Sequence, residues 1–166
     1  VQSECAPRAK LNLLMSLANA SGIRGMVGGQ AADIAAETAA TPLDLDQIIA
    51  LQAGKTGALI SWSALVGPRM AEQEREPLSI YGRALGLAFQ IADDVLDVTG
   101  DAAVTGKAVG KDAAAGKATF VSLLGLEGAK LRAQDLVDEA CVALDDFGDR
   151  ANILKVAARF VVSRDL

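Results

Sequence analysis

The sequence predicts an all-α fold, a helical bundle or part of one. Three observations carry this. Half of the chain is hydrophobic (51%) yet only 4% is aromatic, so the apolar mass is Ala, Leu, Val and Ile. Ala and Leu are strong helix formers, and few β-branched runs bounded by turns interrupt them. Where apolar residues recur, as in Leu11, Leu14 and Ala18, the spacing is helical. A chain of 166 residues is expected to form one domain with a packed core. No internal repeat, low-complexity tail or flexible linker divides it.

The elements follow in order. Residues 3–20 read as a helix, and Ser21-Gly22 with Gly25, Gly28 and Gly29 reads as a break. Residues 30–38 form a short Ala-rich helix. Thr41-Pro42 reads as an N-cap followed by Pro in the first turn, opening a long helix from 43 to about 66. Gly67-Pro68 stops it, and residues 70–77 connect. A second long helix spans about 78–98. Residues 99–117 are a Gly- and Lys-rich loop. Helices at 119–126, 128 to about 147 and 150–163 close the chain. Val1 is not an initiator Met and a helix is under way at once, so the chain is expected to begin inside a larger protein.

Several function classes drop out. There is no histidine, which removes His acid–base chemistry, Ser-His-Asp triads and His-ligated zinc. Cys5 and Cys141 lie far apart without a CxxC and read as plain thiols. The net charge of −5 comes with no basic stripe, so nucleic acid is not an expected partner. The longest nearly apolar stretch, residues 57–67, is too short to span a bilayer. No signal-peptide pattern opens the chain, and a cytoplasmic setting is expected.

The strongest local signal is Phe89-Gln90-Ile91-Ala92-Asp93-Asp94-Val95-Leu96-Asp97. On a helix, Gln90, Asp93, Asp94 and Asp97 fall within an arc of roughly 100°. No Lys stands four residues away to pair with these acids. Buried together they would repel one another unless a cation joined them. Hard oxygen donors suit Mg²⁺ shared with substrate phosphates; the alternative is a solvated polar face. Just beyond, Gly106-Lys107, Lys111-Asp112 and Gly116-Lys117 could fold over a polyphosphate, or be solvated loop lysines. The spacing is not that of a P-loop. Lys55-Thr56-Gly57 stands mid-helix among Ala53, Ala58, Leu59 and Ile60. A lysine there needs a partner, and a phosphate would serve, unless it snorkels to the surface.

In order and spacing, Gly28-Gly29-Gln30 with Asp33, Lys55-Thr56, the Phe89 to Asp97 stretch, Gly106-Lys107 and Gly116-Lys117 resemble the second half of trans-isoprenyl (polyprenyl) diphosphate synthases. The bacterial farnesyl and geranylgeranyl types are the nearest match, over almost the whole chain. The resemblance implies an isoprenoid synthase-type antiparallel helical bundle, here only its C-terminal half. It implies a Mg²⁺-dependent prenyltransferase that joins an allylic diphosphate to isopentenyl diphosphate, giving farnesyl diphosphate, with geranylgeranyl or longer products as the alternative. Asp93, Asp94 and Asp97 would hold the metal or support it, with Asp112 as a possible extra. Lys55, Lys107 and Lys117 would neutralise the diphosphate. Thr56 and Gln90 would stand beside the allylic carbon and its leaving oxygen, and Gln30 and Asp33 would be supporting residues.

Members of the family carry two Asp-rich motifs in a chain about twice this long, and often form homodimers. Only the second motif occurs here in context. Asp145-Asp146-Phe147-Gly148-Asp149 is a literal match, but Gly148 breaks the helix there and the run reads as a solvated cap and turn. The first motif and the isopentenyl diphosphate site are therefore expected in a missing N-terminal half. The isolated chain is expected to show no condensation activity and to expose apolar helix faces. Terpene cyclases share the fold type but generally replace the second motif with an Asn/Ser/Glu pattern. A non-catalytic regulatory subunit of the same fold is the remaining rival, and intact Lys55, Gln90, Asp93 and Lys107 argue against it.

Overall fold

The computed structural model describes residues 5–73, 76–100 and 118–163, and among these every regular element is helical. Helix α1 (Pro7–Ser21) opens on Pro7, whose missing N–H would be unpaired there anyway. Helix α2 spans Met26–Glu37 and takes in Gly28 and Gly29, which the sequence reading assigned to a break. The reason is tertiary. A Cβ on Gly29 would lie 2.1 Å from the Lys55 nitrogen, so close packing outweighs the roughly 1 kcal/mol helix deficit of glycine.

The long helix expected over residues 43–66 is divided. Its cap is Asp44, not Thr41. The Asp44 carboxylate accepts from the Gln47 backbone N–H at 2.9 Å, and the Gln47 side chain accepts from the Asp44 N–H at 2.9 Å. This capping box satisfies two orphan donors at once. Helix α3 (Leu45–Gln52) runs into a π-helical turn (Ala53–Gly57), then α4 (Ala58–Ala64). A bend at Leu65 leads to α5 (Val66–Met70). Gly67-Pro68 lies inside α5 instead of ending a helix. Pro68 is its third residue, where a backbone N–H has no intrahelical acceptor.

Helix α6 (Glu76–Thr99) is the axis of the fold. Tyr81, Ala84, Ala88, Ile91, Ala92 and Val95 are buried at helical spacing. One side packs on α4 and the π turn, the other on α8 (Leu126–Val142) and α9 (Asn152–Ser163). A Cβ on Gly86 would stand 3.0 Å from Gly57 Cα, and one on Gly82 would stand 2.9 Å from Ser61 Cα. The numbers rise on one helix as they fall on the other, so α4 and α6 are antiparallel, with backbones nearly touching.

The chain re-enters the described structure at Ala118. Helix α7 (Phe120–Leu124) is capped by Thr119, which accepts from the Ser122 N–H at 3.1 Å. Gly125, at φ 72° and ψ 163°, turns the chain into α8. Residues Asp145–Ala151 form a 3₁₀ stretch interrupted at Gly148 (φ 56°). Asp145, Asp146 and Asp149 are exposed, and Lys155 pairs with Asp145 at 2.6 Å. The cap-and-turn reading of this run agrees with that geometry. Tyr81 ties α6 to α9 by donating to the Leu154 carbonyl at 2.9 Å. Large apolar side chains stay exposed on α1–α2, among them Leu14 and Ile23, and on α9, where Ile153 and Phe160 stand out. No helix among the described residues is long and apolar enough to cross a membrane.

Candidate active site

Lys55 sits within the π turn, between Gly54 and Thr56. A π turn bonds each N–H five residues back, which widens the helix locally, and such turns recur at functional sites. Small residues let it sit here. Gly29 meets it from α2 and Gly86 from α6, and Gly54 and Gly57 belong to the turn itself. The Lys55 ammonium lies 2.7 Å from Asp33 Oδ2, with side-chain exposures of 31% and 14%. The partner that the sequence reading sought for Lys55 is therefore, in this structure, a carboxylate one helical turn past Gly29. One N–H of the ammonium goes to Asp33, leaving two of its three donors for other acceptors.

Thr56 is half-buried beside Lys55. Gln90, also half-buried, stands one turn beyond Gly86 on α6. The Gly57–Gly86 contact thus brings the turn that carries Lys55 and Thr56 against the helix that carries Gln90 and the three aspartates. Along the acid stripe the environments differ. Asp93 is exposed, while Asp94 and Asp97 are half-buried. Asp94 Oδ2 accepts the Phe120 backbone N–H at 2.8 Å, so this carboxylate anchors the start of α7. The stripe is thus less buried than repulsion among its acids would require. Among the described residues, no three Asp, Glu, Cys or His side chains gather as a cation site.

Gln30 is exposed on α2, one residue past the Gly29 contact. Lys107, Asp112 and Lys117 lie outside the described residues. A shallow groove of about 590 Å³ runs along α2 and α3, floored by Gly25, Gly28, Gly29, Ala32 and Gly54 among others. Sequence reasoning missed the Lys55–Asp33 pair and the contact of Gly29 with Lys55. The available signal was Gly29 and Asp33 at i and i+4, which places them on one face of a helix.

With this geometry in hand, comparison with known proteins is specific. Residues 6–158 match the family model described as polyprenyl synthetase. The chain is 40% identical over 169 residues to farnesyl diphosphate synthase of Escherichia coli, covering 98% of this chain and 56% of that protein. An apo FPP/GFPP synthase of Zymomonas mobilis superposes with a TM-score of 0.82 at 46% identity, over 94% of this chain and 52% of the other. A geranyltransferase of Helicobacter pylori, solved with magnesium and isoprenyl diphosphate, gives a TM-score of 0.77 at 34% identity, over 98% and 54%. The chain thus spans about half the length of these relatives. With a matching family model over nearly its whole length and the same all-α fold, this chain belongs to the polyprenyl synthetase family.

Proposed function

We propose that the natural polypeptide containing this segment is a Mg²⁺-dependent prenyltransferase. It condenses dimethylallyl or geranyl diphosphate head-to-tail with isopentenyl diphosphate and yields farnesyl diphosphate. The observation that carries this reading is the half-buried Lys55 in a π turn packed against the helix of Gln90, Asp93 and Asp97.

In the reaction the allylic C–O bond breaks and its electron pair leaves with the diphosphate. The isopentenyl double bond attacks the allylic cation, forming the new C–C bond. A proton then departs, and the released diphosphate can accept it, so a chain without histidine lacks no required base. Lys55 neutralises charge that builds on the leaving oxygens, joined by Lys107 and Lys117. Thr56 and Gln90 orient the allylic carbon and the bridging oxygen. Asp93 and Asp97, one helical turn apart with hard carboxylate oxygens, fit Mg²⁺, which takes one or two carboxylates plus phosphate oxygens and water. When bound, the metal supplies Lewis-acid neutralisation of the diphosphate. Asp94 holds α7 beside them, Asp112 is a further acid for this site, and Gln30 supports α2. The small-residue groove along α2 and α3 offers apolar shielding for a prenyl chain.

The test is a condensation assay on the natural polypeptide with geranyl diphosphate and labelled isopentenyl diphosphate, with and without Mg²⁺. Farnesyl diphosphate should form only with the metal, and Lys55→Ala or Asp93→Ala should abolish it. Turnover that survives chelation, or that Lys55→Ala leaves intact, would overturn the reading. Silence alone but stimulation of a second synthase would favour a regulatory subunit.

A further inference from the structure

Lys55 is gripped by α2 at two points. Its backbone is met by Gly29, where a Cβ would stand 2.1 Å from the Lys55 nitrogen and 2.6 Å from its Cα. Its side chain is met by Asp33, one turn along the same helix, at 2.7 Å. A side chain of any size at residue 29 would push α2 off the π turn and draw Asp33 away from the ammonium. We infer that Gly29 and Asp33 form a positioning clamp that sets the direction in which Lys55 presents its remaining two N–H donors, and that neither residue touches substrate itself. This rests on the proposed role of Lys55 as a diphosphate ligand.

The physical case turns on entropy and charge. A lysine side chain has four rotatable bonds and would otherwise sample many positions. Asp33, only 14% exposed, fixes one N–H and so aims the others. The carboxylate also competes with phosphate for the ammonium. Removing it should therefore leave ground-state binding of the diphosphate unweakened while the orientation needed at the transition state is lost. That predicts a fall in kcat with KM unchanged or lower. A merely structural role would instead lower the thermal midpoint and act whether or not Lys55 is present.

The experiment is a double-mutant cycle on the natural polypeptide with Asp33→Asn, Lys55→Ala and both together. Gly29→Ala serves as an independent second variant. Asp33→Asn should lower kcat by about tenfold to a hundredfold without raising the allylic KM. In the Lys55→Ala background it should change nothing further. Acetylation of Lys55 by acetic anhydride, followed by mass spectrometry, reads the pair without any turnover. It should quicken at least about twofold in Asp33→Asn and in Gly29→Ala, because the ammonium has lost its carboxylate. If Gly29→Ala fails to fold, Asp33→Asn decides alone. An unchanged acetylation rate would overturn the clamp, as would a kcat within about twofold of the parent or a full additional loss in the Lys55→Ala background. Full activity in Lys55→Ala itself is a different failure: it sinks the role of Lys55 in diphosphate binding, and the clamp with it.

Discussion

Asp93 and Asp94 are neighbours on one stripe, and the structure separates their work. Replacing Asp94 by Ala removes the carboxylate that accepts the Phe120 N–H at 2.8 Å. Phe120 is 1% exposed, so water replaces that acceptor poorly. A buried N–H left without a partner costs about 1–3 kcal/mol, and loss of a helix-capping acceptor costs about 0.5–2 kcal/mol. These describe one event, so a loss of about 2 kcal/mol is expected. For a chain of this size that lowers the thermal midpoint by roughly 4–8 °C. Asp94→Asn keeps an oxygen acceptor but not its charge, and should lose less. Asp93 is exposed, and Asp93→Ala should cost under about 1 kcal/mol while removing Mg²⁺-dependent turnover of the natural polypeptide. Urea unfolding and the condensation assay, run on both variants, give the two readouts. If Asp94→Ala is as stable as the parent, or Asp93→Ala is the more destabilised, the division of labour is wrong.

Three further outcomes are expected. Gly82→Ala places a Cβ 2.9 Å from Ser61 Cα and 3.2 Å from Ala64 Cβ; overpacking exceeds the gain in helix propensity, and unfolding should show a net loss of about 1–2 kcal/mol. Gly67→Ala, with nothing within 4 Å in α5, should instead stabilise by up to about 1 kcal/mol in the same measurement. Gly125→Ala should lose about 1–3 kcal/mol, because φ 72° with ψ 163° is a region that side chains resist. Burial, and then the nearby Cys141, hold the Tyr81 phenol above its ordinary value of 10.0. The neutral phenol is thus favoured in the fold. Its contribution is complete below about pH 10 and is lost as pH rises through the higher folded-state value. Tyr81→Phe, which also removes the bond to the Leu154 carbonyl, should cost about 1 kcal/mol at neutral pH and flatten that alkaline decline in a pH series of unfolding curves.

What could be read from the sequence was whatever local chemistry decides. The all-α class, the central helix now assigned to Glu76–Thr99 and the turn at Gly148 follow from periodicity and breakers within a few residues. The cap of α3 was also legible. Asp44 and Gln47 carry the capping-box spacing, but the Thr41-Pro42 signal three residues earlier drew the boundary forward. Contacts between distant segments were not legible. Gly28 and Gly29 look like helix breakers until Lys55 is seen packed against them. Asp94 looks like its neighbours until Phe120, 26 residues later, takes its oxygen. The relation of Gln90 and Asp93 to Lys55 was expected from resemblance alone. The structure supplies a physical contact behind it, through Gly57 and Gly86.

The π turn at Ala53–Gly57 also has a meaning for descent. A single π turn holds one residue more than the α-helix it interrupts, so it behaves as an insertion that the helix absorbed without breaking. Deleting one residue there would restore a regular α-helix and rotate everything downstream by about 100°. Gly57 would turn away from Gly86, Ser61 from Gly82, and Trp62 from Ser16, to which it donates at 3.0 Å. Three independent contacts thus hold the extra residue in place. Substitutions can accumulate along α3 and α4, but a change of length between Lys55 and Trp62 would have to be matched by rebuilding both faces of the helix at once. Among descendants of this chain, the number of residues across that turn should drift more slowly than the residues themselves.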